Sequence, residues 1–194
     1  MSEDDLVVAL TAVLLLSPQI PLLFMGEEYG ETRPFCFFTD FHGELADAVR
    51  QGRRNEFAKF AAFNDPVTRE EIPDPNARST FEASRLDWGR AASEDGAVWL
   101  DLYRRLLSVR AAEIAPRLKG IAPCAGKVLR VEERIIDVAW TLGDGSVLTM
   151  VMNLTADDAG EIPPGRVIAC VAEGEFAEAS TRRPHSVIVT LMPG

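Results

Sequence analysis

Histidine, cysteine and tyrosine are scarce in this 194-residue chain, and acidic residues outnumber basic ones. The two histidines, His42 and His185, stand far apart. The three cysteines, Cys36, Cys124 and Cys170, show neither a Cys-x-x-Cys spacing nor a histidine cluster, so no zinc pattern is present and no metal or cofactor is expected. An odd, scattered cysteine set suits a reducing compartment better than a disulfide scaffold, and the cytoplasm is the expected location. Twenty Lys and Arg against 30 Asp and Glu leave a formal charge of −10. A field of that sign repels phosphate backbones and anionic lipid, so neither nucleic acid nor membrane is an expected partner. Long hydrophobic runs are missing too. The apolar stretch 6–16 is well short of the roughly 20 residues that span a bilayer. Its leader, Met1-Ser-Glu-Asp-Asp5, is acidic where a secretory signal begins with positive charge.

What is present is an ordinary globular composition, 47% hydrophobic and 26% charged. Ser2 with acids behind it reads as a helix N-cap, and the helix runs to Leu16 and stops at Ser17-Pro18. Because it is apolar nearly all round, burial on more than one side is expected. Residues 20–25, Ile-Pro-Leu-Leu-Phe-Met, form an unbroken apolar run ending at Gly26. A helix followed by such a run is the pattern of a parallel strand covered on both faces.

A second helix is expected over 44–63, with Arg53 and Arg54 on a solvated face. Residues 64–96 show no period and many turn formers, with Phe81, Leu86 and Trp88 as anchors that keep the loop ordered. Trp99, Leu102, Tyr103, Leu106 and Leu107 then mark one face of a helix that reaches about Ala115 and Pro116. Trp88 and Trp99 are expected as core anchors. Beyond Gly120 the grammar becomes β: short runs at 128–131, 135–142, 146–154, 166–172 and 186–192, with turn signals at Gly143-Asp-Gly145 and Pro163-Pro-Gly165.

Several motifs taken together point to one family. Leu16-Ser-Pro-Gln-Ile-Pro-Leu-Leu-Phe-Met-Gly-Glu-Glu-Tyr-Gly30 resembles the seventh helix and eighth strand of an α-amylase-type (β/α)₈ barrel. Pro34-Phe-Cys-Phe-Phe-Thr-Asp-Phe41, Val49-Arg-Gln-Gly-Arg-Arg-Asn-Glu-Phe57, Asp74-Pro-Asn-Ala-Arg-Ser-Thr-Phe81 and Ser84-Arg-Leu-Asp-Trp88 follow. In that order they resemble the malto-oligosyltrehalose trehalohydrolase family, over residues 3–120. The β-rich tail resembles the clan's C-terminal domain only in kind. The resemblance implies an α+β chain: residues 1–118 as the C-terminal remnant of the (β/α)₈ barrel, and 119–194 as a small antiparallel β-sandwich.

The resemblance also implies hydrolysis of the α-1,4 bond that releases trehalose from maltooligosyl trehalose. A retaining glycosidase uses two carboxyl groups about 5 Å apart. The family places them after the fourth and fifth strands, with a third carboxylate after the seventh. No segment here matches those motifs, so no catalytic residue is assigned and the chain is expected to be inactive alone. The candidates that remain are substrate-binding: Glu27 at the strand end, Phe35 and Phe37 as an apolar platform facing away from Phe38, and Asp40, Asp74 and Arg78 toward sugar hydroxyls. For Asp74 and Arg78 a local ion pair is the competing expectation, and for the phenylalanines it is packing. The expected ligand is maltooligosyl trehalose or another α-glucan. Self-association through exposed barrel edges is expected as well. Two alternatives stay open: a piece of an α-glucan branching enzyme or other clan member, and a non-catalytic glucan-binding or interaction module.

Overall fold

The computed structural model describes residues 3–57, 72–158, 160–172, 175–179 and 184–194. The expected Ser2 cap and the 58–63 end of the second expected helix lie outside the described residues. Two compact units are present: Met1–Met25 with Val98–Gly194, and Gly26–Ala97.

The first unit is a sheet with helices on one face. Helix α1 (Glu3–Leu16) ends where Pro18 makes helical geometry unfavourable one residue earlier. Val8, Ala9, Ala12, Leu15 and Leu16 are all buried. This i, i+1, i+4, i+7, i+8 set is a single helical stripe. It lies against β3, β4 and β6 of the sheet described below. Burial on more than one side is not what the structure shows: Val7, Leu10 and Leu14, on the opposite stripe, are exposed. The sheet covers one side only.

The C-terminal strands are β1 (Gly126–Glu132), β2 (Ile135–Thr141), β3 (Val147–Asn153), β4 (Arg166–Ala172), β5 (Glu175–Phe176) and β6 (Ser186–Met192). They form one antiparallel sheet in the order β1-β2-β3-β6-β4-β5. A sandwich is not observed. Among the described residues the strands make a single sheet because β6 inserts between β3 and β4, so every longer strand joins the same ladder. Residues 154–165 carry the chain from β3 to β4 past β6. The Thr190 hydroxyl of β6 donates to the Pro164 carbonyl in that crossover at 3.2 Å. The turn signals act as expected. At the β2–β3 hairpin Gly145 takes φ 83°, where a side chain is disfavoured, and the Asp144 carboxylate accepts from the Ser146 amide and hydroxyl.

One face of the sheet supplies Trp140, Leu148, Met150, Ala169, Val171, Val187, Val189 and Leu191 to a core shared with α1. Leu142, Ile114 and one further helix, Glu94–Val109, complete it; that helix is here called α5 because three helices of the second unit precede it in the chain. Its Leu102, Tyr103 and Leu106 are buried, and Trp99 packs partly against the same core. The backbone then loosens into a π turn (Arg110–Ile114) and a 3₁₀ turn (Ala115–Arg117). At the π turn the Arg110 guanidinium donates to the carbonyls of Leu15, Ser17 and Gln19. The Leu15 carbonyl is one that a helix C-terminus leaves without an intrahelical partner, and Ser17 and Gln19 follow just beyond the helix end. Burial pulls the Arg110 pKa below its ordinary value.

The expected strand at 20–25 is a correction. These residues join no strand of the sheet, and Ile20 and Leu22 are 93% and 89% exposed. A buried parallel strand exists only between neighbouring strands that supply its ladder, and none of the six described strands lies beside it. None of the helices described is long and apolar enough to cross a membrane.

Leu106 is fully buried while its neighbour Leu107, about 100° further round α5, is exposed. Leu106→Ala should therefore cost about 2–5 kcal/mol in urea unfolding, whereas Leu107→Ala should cost less than about 1 kcal/mol. Equal losses at the two positions would contradict the packing described.

Candidate functional site

The second unit, Gly26–Ala97, holds every candidate binding residue. Its described helices are α2 (Gly43–Phe57), α3 (Arg78–Ala83) and α4 (Trp88–Ala91), besides the first turns of α5. The unit opens with a tight reversal. Gly26 has φ 90°, and a Cβ there would lie 2.7 Å from the Glu31 Cβ, so only glycine fits. One 3₁₀ turn (Glu27–Tyr29) follows, closed by Gly30 in the left-handed region. Glu27 projects from this turn exposed, while the Glu28 carboxylate turns back to accept the Gly26 amide at 3.1 Å.

Glu31 is the organising residue of this loop, and it was not among the sequence candidates. One oxygen accepts the Thr32 and Arg33 amides at 2.9 Å each, and the other accepts the Asp87 amide at 2.6 Å. Those amides, first that of Arg33 and then that of Asp87, hold its pKa below the ordinary value despite some burial. The Asp87 carboxylate meets Arg33 at 3.3 Å and caps α4 through the Gly89 amide. Arg90 donates to the Gly30 carbonyl. Tyr29 is buried at the centre, and its phenol pKa is pushed up by burial first and then by Glu31, Glu28 and Asp87. The Trp88 ring lies 6.1 Å from it, yet Trp88 is 70% exposed and is no core anchor. Its place at the start of a four-residue helix leaves one ring face uncovered.

Residues 35–41 run extended beside 72–84, stitched by side chains. The Thr39 amide donates to the Pro75 carbonyl at 2.8 Å. Asn76 uses its whole amide: its oxygen accepts from the Thr39 hydroxyl and the Phe41 amide, and its nitrogen donates to the Ala46 carbonyl of α2. The Ser84 hydroxyl accepts the Cys36 amide and donates to the Thr80 carbonyl. Asp74 is part of the same stitching. Its carboxylate accepts the Asn76 amide at 3.0 Å and the Arg50 Nε at 2.7 Å. Burial alone would raise the Asp74 pKa, but the Asn76 amide and the Arg50 guanidinium outweigh it and hold the group below its ordinary value.

The expected Asp74–Arg78 pair is thus not formed. Asp74 pairs with Arg50 because both lie between α2 and the 72–77 loop, and Arg78 reaches one turn along α3 to Glu82 at 2.8 Å. Arg53 is not on a solvated face either. Its guanidinium sits over the Phe37 and Phe57 rings, 5.2 and 4.4 Å from their centroids. Arg54 is half-buried. Phe57 lies one turn along the same helix, whereas Phe37 comes from a distant segment, a contact that sequence spacing did not reveal.

Two hollows result. Phe35 and Phe37, with Cys36, Arg53, Phe57 and Ile72, line one of about 210 Å³. Phe38, Asp40, Arg78 and Phe81, with Thr39 and Asn76, line another of about 470 Å³. Phe35, Cys36 and Phe37 line one hollow and Phe38 the other, so the hollows do not follow a simple alternation. Phe38 meets Phe81 edge-on at 5.2 Å and Phe35 at 5.8 Å. Of the sequence candidates, Asp40 and Arg78 are brought to one hollow, Phe35 and Phe37 to another, and Glu27 and Asp74 line neither. His42 is exposed, with a ring nitrogen 3.2 Å from the Asp40 carbonyl.

A glycosidic general acid needs a carboxyl pKa displaced upward. Among the described residues, the carboxyls whose pKa values are displaced, Glu31, Asp74, Glu113, Glu132 and Asp144, are all displaced downward by amides, hydroxyls or arginines. No group of three or more potential metal ligands converges among the described residues.

A depressed folded pKa means that Asp74 stabilises the unit at pH values above its unfolded pKa and loses that contribution as pH falls through the folded one. Asp74→Asn should therefore lower the unfolding free energy by an amount that is constant between about pH 5 and 7, with the gap to wild type closing below about pH 4. A gap unchanged at low pH would contradict the carboxylate's role.

No family model matches the sequence. Individual proteins do. A malto-oligosyltrehalose trehalohydrolase of Deinococcus radiodurans is 44% identical over 99 residues, which cover 51% of this chain and 16% of that protein. One from a Rhizobium species is 46% identical over 104 residues, 53% of this chain and 17% of that protein. A solved structure from Salmonella typhimurium, described as an alpha amylase, superposes with a TM-score of 0.86 at 41% identity, covering 98% of this chain and 31% of that one. The chain therefore matches about a sixth of the length of these curated relatives. Over about half of its own residues, this chain is a homologue of malto-oligosyltrehalose trehalohydrolases, which are glycoside hydrolases, and its own solved structural neighbour carries the α-amylase description.

Proposed function

We propose that this chain is the C-terminal part of a trehalose-releasing glycoside hydrolase, one that cleaves the α-1,4 bond next to the terminal trehalose unit of a maltooligosyl trehalose. The observation that carries this reading is identity of 44–46% over about 100 residues to proteins of that name. In this reading residues 1–118 belong to the closing segment of a (β/α)₈ barrel and 119–194 to its β-domain. The apolar run at 20–25 supports it. Six successive residues suited to a strand buried on both faces stand outside the sheet, with Ile20 and Leu22 almost wholly exposed. They fit a barrel strand whose neighbours belong to the preceding barrel units. Left uncovered, the same run favours self-association.

The bond-breaking carboxyls then belong to those other units, and this chain contributes a wall of the glucan cleft. Retaining hydrolysis needs a nucleophile and an acid/base carboxyl about 5 Å apart. Here Glu31, Asp74 and Asp87 spend their oxygens on backbone amides and arginines instead. The purified chain, incubated with maltotriosyl trehalose, should release no trehalose detectable by chromatography. Turnover that persists through purification to homogeneity, and that scales with the amount of chain, would contradict this.

A further inference from the structure

Strand β1 presents apolar side chains at an edge of the sheet. Among the described strands its one ladder neighbour is β2. Val128, Leu129 and Val131 are 64%, 60% and 68% exposed there. An edge of this kind is a template for one more strand. The register with β2 breaks between Val128 and Arg130, so Leu129 is the extra residue of a bulge. That bulge sorts the side chains of the strand. Val128 and Val131 stand opposite Val138 and Ile136, on the face of the sheet that carries the core, because residues directly opposite share a face. Lys127, Arg130 and Glu132 stand opposite Ala139, Asp137 and Ile135, on the other face. In a regular strand, positions three or five apart point to opposite faces. Here the bulge puts Val128 with Val131, and Lys127 with Glu132.

This sorting makes residues 127–132 complementary to themselves. A second copy related by a twofold axis normal to the sheet runs antiparallel and keeps every side chain on its own face. Residues opposite one another across the axis must then share a face. Lys127 with Glu132 and Val128 with Val131 meet that condition, and the bulge positions Leu129 and Arg130 meet at the centre. Each bulge faces the other, so neither strand is left with an unmatched residue. Opposite charges come together at both ends of the pair, and four valines form a strip on one face. The chain carries −10 overall, but Lys127 and Arg130 outnumber Glu132 on this strand, so two copies repel least there. We infer that β1 is a homodimer interface, pairing antiparallel with β1 of a second copy and continuing the sheet across the twofold axis. This surface shares no residue with the apolar run at 20–25, and the inference does not rest on the reading of the parent protein as a hydrolase.

The test is sedimentation velocity of the 194-residue chain over a range of concentrations, alone and as the variants Lys127→Glu and Glu132→Lys. Wild type should show a reversible monomer–dimer equilibrium with Kd of about 10 µM, as suits a small interface. Each variant sets like charges opposite at both ends of the strand pair, and should dimerise about tenfold or more weakly. An equimolar mixture of the two variants restores opposite charges at both ends, and should dimerise as wild type does. Both side chains are exposed, so thermal unfolding of the variants should match wild type. A wild type still monomeric at about 1 mM would mean that the edge serves another partner, and would overturn the inference. Association that neither substitution weakens, as contacts through residues 20–25 would give, overturns it too. So does a failure of the mixed variants to recover.

Discussion

The fold depends on one apolar contact, the Val8–Leu16 stripe of α1 laid across β3, β6 and β4. Residues nearly a whole chain apart in sequence are joined there, which makes the first helix an integral part of the C-terminal unit. Full burial of Leu15, Leu16, Leu106, Leu148 and Val189 contributes on the order of 1.5–3 kcal/mol per side chain. Arg110 completes the contact. By donating to carbonyls at the end of α1 it fixes the direction in which the chain leaves the helix, and so the start of the exposed run at 20–25.

Much of the secondary structure was legible in the sequence because local chemistry determines it. Pro18 ends α1, the three- and four-residue spacing of Leu102, Tyr103 and Leu106 marks α5, and Gly143-Asp-Gly145 turns β2 into β3. The five long strands appear close to the expected positions. What was not legible depends on partners distant in sequence. Whether residues 20–25 join a ladder is decided by neighbouring strands, not by their own composition. The single-sheet arrangement follows from β6 inserting between β3 and β4, which no local signal encodes.

The binding loops show the same division. Asp40 and Arg78 were candidates by residue type, and the structure gathers them at one hollow. Asp74 had the same chemistry, yet its carboxylate is taken by Arg50, 24 positions away. Glu31 and Asn76 organise the unit through backbone amides and carbonyls, bonds that depend on the path of the chain and leave no spacing motif. Arg53 looked like solvated charge although Phe57 stands one turn along the same helix, and its other ring, Phe37, comes from a segment no local pattern links to it. In each case the residue type announced a capability, and the tertiary neighbours decided its use.

The resemblance covers about a sixth of the relatives' length, and the function proposed above is that of the whole protein. In the reading proposed above, the bond-breaking carboxyls lie outside this chain and the described loops of the second unit line the cleft. The most direct measurement is an exchange of segments. A trehalohydrolase from Deinococcus radiodurans whose matching C-terminal portion is replaced by this chain should fold and release trehalose from maltotriosyl trehalose. A chimera that folds cooperatively, retains its own catalytic carboxyls and yet releases none would contradict the account.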